Sequence, residues 1–173
     1  MKRAISLVAV IILTISLCGC EKLVGGNFLE MCGIKFDSQI EMIEDCLSIN
    51  LDDLTDDSIK TIYSDTDPNG NSVSIQYISL EGAGNVIEPI IQNSNRWSAL
   101  PLSDIVDKIL SANKVYDEFD FSKINGYFTI SGVLPNEDGF NFNKNNINVW
   151  EVYEIGIWDS NDETLYYVSI TKQ

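Results

Sequence analysis

The hydrophobic positions fall into blocks of two different periods. Behind an uncharged, largely apolar stretch at residues 4–17, the first periodic block is helical. Phe36, Ile40, Ile43 and Leu47 recur at helix spacing, while Glu41, Glu44 and Asp45 fall mostly on the other face. Ser38-x-x-Glu41 is a capping-box pattern and sets the helix start. A polar loop with Asp52, Asp53, Asp56 and Asp57 follows. Residues 59–64 and 72–80 then alternate with period two, through Thr61, Tyr63, Val73, Ile75 and Tyr77, and predict two strands. Asn69-Gly70 between them predicts a hairpin turn at positive φ. Residues 81–85 read as a loop. Residues 86–91 read as a further strand, placed at an edge by Pro89. After a connector at 93–101, Leu102, Ile105, Val106, Ile109 and Leu110 predict a second amphipathic helix. Ser103 caps it and Asp104 lies at its positive end. The rest is β-rich: residues 126–134, 149–158 and 164–171 predict strands, separated by polar turns at 135–139, 143–146 and 159–163.

This order predicts an α+β fold, an antiparallel sheet with two amphipathic helices packed on it. It forms either one domain over residues 36–173 or two helix-plus-hairpin units divided near 93–101. In the last hairpin, Trp150, Val152 and Trp158 share one face and Tyr153, Ile155 and Ile157 the other. One face is expected to pack on the helices. The second needs a cover, from another segment or from a partner.

The apolar stretch at 4–17 sits behind a basic head, Met1-Lys2-Arg3, and is interrupted only by Ser6, Thr14 and Ser16. It is shorter than the roughly 20 residues of a membrane-spanning helix and has the form of a secretory signal. Leu17-Cys18-Gly19-Cys20 follows. With these residues the N-terminus resembles the precursors of bacterial lipoproteins, whose lipobox is an apolar residue, a small residue, Gly or Ala, then Cys. The resemblance covers residues 1–20. It implies that residues 1–19 are a signal peptide and that Cys20 becomes the first residue, thioether-linked to diacylglycerol. Cys18 departs from the Ala or Ser commoner at that place. Residues 20–35, with Gly25-Gly26, are then a lipidated tether. The expected location is the cell membrane or outer membrane, lipid-anchored and facing outside the cytoplasm. By the same resemblance, Glu21 in place of Asp carries no inner-membrane retention mark.

Cys32 and Cys46 remain after export, into a compartment that permits disulfides. They predict one bridge, with two buried free thiols as the other reading.

Charge narrows the partners. The chain has 26 Asp+Glu, 11 Lys+Arg and no His, for a formal charge of −15. Loss of Lys2 and Arg3 with the signal takes it to −17. Such a body is repelled by nucleic-acid backbones and anionic lipid and favours a protein partner with a basic surface, or cations. Without His, Ser-His-Asp and Cys-His mechanisms are excluded.

Asp65-x-Asp67-x-Asn69-Gly70 matches the first half of a calcium loop. Gln76 stands where the bidentate Glu belongs, Ser72 where an apolar residue belongs, and strands flank it. A weak calcium site and a solvated turn are the two readings. Ser111-Ala-Asn-Lys114 is Ser-x-x-Lys without its companion elements, and Gly82-Ala83-Gly84 is not a phosphate loop. Trp97, Trp150, Trp158, Tyr153, Tyr166 and Tyr167 either line a carbohydrate or peptide groove or build the core. No cofactor is implied beyond the calcium reading.

The functional expectation is a membrane-anchored, non-enzymatic binding or interaction module. Its rivals are a carboxylate-based hydrolase of envelope or extracellular glycans and an immunity-type inhibitor of a basic toxin.

Overall fold

The computed structural model describes residues 36–51, 54–134 and 139–172. The period-two segments form six strands: β1 (Lys60–Thr66), β2 (Ser72–Ser79), β3 (Ser98–Ala99), β4 (Gly126–Val133), β5 (Val152–Asp159) and β6 (Thr164–Thr171). They pair antiparallel in the order β1-β2-β6-β5-β4-β3. The last strand therefore enters between the first hairpin and β5, with Ser72 opposite Thr171 and Ser79 opposite Thr164. One continuous sheet thus spans both sides of the 93–101 connector. The fold is α+β.

Among the described residues four α-helices accompany the sheet: α1 (Gln39–Leu47), α2 (Gly84–Asn93), α3 (Asp104–Ala112) and the single turn α4 (Val115–Glu118). They do not all lie on one face. Side chains from α1 and α2, including Ile43, Leu47, Ile87 and Ile91, pack with Ile78, Val152, Trp158, Leu165 and Tyr167. Those from α3 and α4, including Val106, Leu110 and Val115, pack with Ile75, Phe128, Ile155, Ile157 and Val168. The alternation along β5 and β6 explains the split, since successive side chains leave opposite faces. Both faces of the last hairpin are covered by the chain itself. Trp150 precedes β5 and packs with Tyr153 in the second cluster, not with Val152 and Trp158.

Residues 86–91, expected as a strand, lie inside α2. Ile87 and Ile91 are buried one turn apart, while Val86 and Ile90 are exposed, so the helical period governs this run. Pro89 sits within the helix, on its exposed side. The bond it forfeits is one N–H to the Asn85 carbonyl.

The start of α1 is the expected one: Ser38 Oγ accepts from the Glu41 amide at 3.0 Å. The reciprocal bond is shifted by one residue, Glu41 accepting from the Asp37 amide at 2.7 Å. The far end is held by the sheet. Ser131 Oγ donates to the Cys46 carbonyl at 2.7 Å, and the Trp97 indole N–H donates to the Leu47 carbonyl at 3.1 Å. Two orphan carbonyls of α1 are satisfied in this way. Gly156 makes the close approach possible: a Cβ there would lie 2.7 Å from Leu47 Cδ1. Among the described residues no helix is long and apolar enough to cross a membrane.

Candidate functional site

The chemistry-bearing residues of the sheet divide into a sealed group and an open one. The sealed group lies under α1. Glu154 of β5 is 1 % exposed and accepts from Tyr167 Oη at 2.6 Å and Ser169 Oγ at 3.1 Å. Burial pushes its carboxyl up to about 8, against the pull of those two hydroxyls. Tyr167 rises well above its ordinary range by burial and then by the neighbouring Glu154. Cys46 is raised in the same way, and its thiol donates to the Ile43 carbonyl at 3.4 Å. At neutral pH the group is a protonated acid, a phenol and a thiol. Glu154, Tyr167 and Cys46 are each at most 1 % exposed, so no substrate reaches them. A thiol held protonated is also a poor nucleophile.

The open group lies at the β1 edge, on the face carrying α3 and α4. Those helices cover Ile75 of the first hairpin and leave its tyrosines half-buried. Tyr63 of β1, Tyr77 of β2, Tyr166 of β6 and Phe119 beyond α4 are each half-buried. The Phe119 and Tyr166 rings are 4.8 Å apart and those of Tyr77 and Tyr166 6.5 Å apart. Carboxylates rim this shelf. Partial desolvation, then Asp65 and Glu118, push the Tyr63 hydroxyl up. Burial, then Asp159 and Asp162, do the same for Tyr166. Among the described residues nothing covers the edge itself: every β1 residue except Tyr63 is exposed. A register shift between Thr61 and Tyr63 bulges Ile62 outward. The other edge of the sheet is closed by β3 and by the Gly132–Asn141 bridge.

Next to the shelf is a cavity of about 590 Å³ lined by Leu100, Pro101, Asp107, Tyr116, Asp120 and Phe121. Tyr116 Oη donates to Asp107 at 2.6 Å. Asp120 accepts from the Ser122 amide at 2.9 Å. Hydrogen bonds from Ser122 hold its carboxyl below the usual range.

The residues expected from sequence are scattered. Cys20 and Cys32 lie outside the described residues, and Cys46 is in the core. Asp65 is paired along β1, opposite Val73. Asp67 turns onto its own loop. One carboxylate oxygen accepts from the Asn69 and Asn71 amides at 2.8 and 3.0 Å, and the other from Asn71 Nδ2 at 2.8 Å. These bonds lower its pKa. Gly70 is left-handed, at φ 88°, but Asn69 is not, so the turn is a longer loop than the dipeptide predicts. Among the described residues, no three Asp, Glu, Cys or His side chains gather to hold a metal.

Of the six aromatics named for a groove, Trp97, Trp150, Trp158, Tyr153 and Tyr167 are buried in the core. Only Tyr166 reaches the shelf, and Tyr63, Tyr77 and Phe119 were not among those named. The signal for Tyr63 and Tyr77 was their period-two placement on the first hairpin, in step with Ile75.

Few carboxylates meet a cation. The described residues hold one ion pair, Lys123–Asp120 at 3.9 Å. Other basic residues lean on rings instead: Arg96 lies 3.7 Å from the Phe142 centroid and Lys172 4.4 Å from that of Tyr153. Gly82-Ala83-Gly84, at the start of α2, is occupied from within. The Gly82 amide donates to the Glu163 carboxylate, which also fills the space a Gly84 side chain would need. An anion there suits the helix dipole.

In comparisons with known proteins, no family model, curated sequence or solved structure matches the chain.

Proposed function

We propose that this protein is a lipid-tethered, extracytoplasmic binding module that engages a basic protein partner at the membrane surface. The observation that carries this reading is the unneutralised acidic surface: 26 acidic residues against 11 basic ones, with one ion pair among the described residues. Such a field steers a cationic partner and is strongly salt-dependent. The tether is the diacylglycerol on Cys20, which holds a body that an anionic leaflet would repel. The inward placement of Glu154, Tyr167 and Cys46 supports a non-enzymatic role, because the groups best suited to proton transfer or nucleophilic attack sit in the core. In-cell crosslinking in the native host, followed by identification of the bound protein, tests the reading. A partner whose contact surface is rich in Lys and Arg, released by high salt, is the expected result.

The cavity beside Tyr116 favours a second reading, a glycan hydrolase using Asp107 and Asp120. Such chemistry needs one carboxyl held protonated near neutral pH, and Asp120 is shifted the other way. Glycan cleavage lost in Asp107→Asn and Asp120→Asn would establish that reading over the first.

A further inference from the structure

We infer that the β1 edge is the contact itself, and that it takes an extended Lys- or Arg-rich segment of a protein partner as an added strand. This rests on the basic-partner reading and names where and how that partner binds.

An edge strand offers unpaired backbone donors and acceptors along one side, and exposed edges are ordinarily blunted by covers, bulges or charge. Among the described residues one edge is closed by β3 and the Asn141 bridge, while nothing pairs with the outer side of β1. The bulge at Ile62 spoils regular pairing at the Lys60 end and leaves Tyr63 to Thr66 in regular register with β2. An incoming strand pairs with that stretch.

Its side chains then alternate between two different surfaces. On one face they meet Tyr63 and Asp65, with Glu118 nearby. Tyrosine faces and carboxylates together suit guanidinium and ammonium groups, by cation–π contact and by charge. On the other face they meet Ser64 and Thr66, with Ser74 and Ser72 opposite these on β2, which suit small polar side chains. The recognised pattern is therefore a basic residue at every second position. Charge complementarity selects this occupant over a second copy of the chain, whose own net charge is strongly negative.

The test uses the full chain in detergent micelles and two acetylated octapeptides of alternating Lys and Thr, one of them N-methylated at every amide. Hydrogen exchange is read across β1. The unmodified peptide is expected to slow exchange at Tyr63–Thr66 by roughly tenfold, and the N-methylated peptide, with the same charge but no strand-pairing donors, to leave it unchanged. Asp65→Lys combined with Glu118→Lys, both exposed positions, removes the effect while circular dichroism stays native. Equal binding of the two peptides, or protection only elsewhere, overturns strand addition and leaves the basic-partner reading intact. So does a basic protein that crosslinks in cells at α2 and not at β1. Sedimentation showing a dimer that pairs through β1 also overturns it, the second copy then being the occupant.

Discussion

Glu154 is the residue at which sequence and environment conflict most sharply. Its carboxyl sits at about 8 in the fold against an ordinary 4.5. A carboxyl raised on folding favours the folded state only while protonated. Stability therefore falls as pH rises from about 4.5, through the folded pKa near 8, and levels off above it. Glu154→Gln keeps an acceptor oxygen for one of Tyr167 and Ser169, turns its amide NH2 to the other hydroxyl oxygen, and cannot ionise. It should raise stability at pH 8–9 by a few kcal/mol and flatten the pH dependence, as read by denaturant titration between pH 5 and 9. A variant as pH-sensitive as the parent would show that Glu154 is not the source. The sequence did carry a signal for this residue. Val152, Glu154, Gly156 and Trp158 alternate along one strand, so a Glu in that series must face inward. Its partners Tyr167 and Ser169 come from the next strand in register, which no local pattern reveals. Asp67 is the converse case. It was named as a ligand because Asp-x-Asp-x-Asn-Gly suits both metals and turns, and the structure uses it for the turn. Asp67→Ala should lower the melting temperature equally with and without millimolar calcium.

Most elements could be read from periodicity, and the exception has a definite cause. A run such as Val86-Ile87-Glu88-Pro89-Ile90-Ile91 is too short and too apolar to show its period, and Pro89 weighed toward a strand edge. The deciding contact is distant: Glu163, in the β5–β6 turn, places its carboxylate at Gly82 and Gly84 and anchors the start of α2. Gly84→Ala should destabilise by at most about 1 kcal/mol, because the new methyl meets only the flexible end of the Glu163 side chain and displaces its carboxylate from the helix start. The cost should shrink in a Glu163→Ala background, as measured by a double-mutant cycle. An unchanged cost would assign the strain to the backbone alone. The two amphipathic helices and the last hairpin were legible because burial on one side gives them long, regular patterns. The turn after Ala112 and the two-residue β3 carry no such pattern.

For the whole molecule, the sequence shows that both faces of the last hairpin are apolar but not what covers them. The answer lies in topology: β6 enters the middle of the sheet, so α1 and α2 fall on one face and α3 and α4 on the other. Charge works at the same scale. In the proposed function, an acidic body with one ion pair among its described residues keeps its field for a partner, and a lipid at Cys20 would place that field at a membrane. Cys20→Ala should move the protein from the membrane fraction to the soluble fraction, or leave the leader attached, as read by intact mass. The most direct test of the central claim is photo-crosslinking in the native host from residues placed at Tyr63 and, for comparison, at Ile90. The account predicts membrane-fraction adducts from position 63 to a protein segment rich in Lys and Arg. Adducts only to glycan, or to segments with no excess of basic residues, would contradict it.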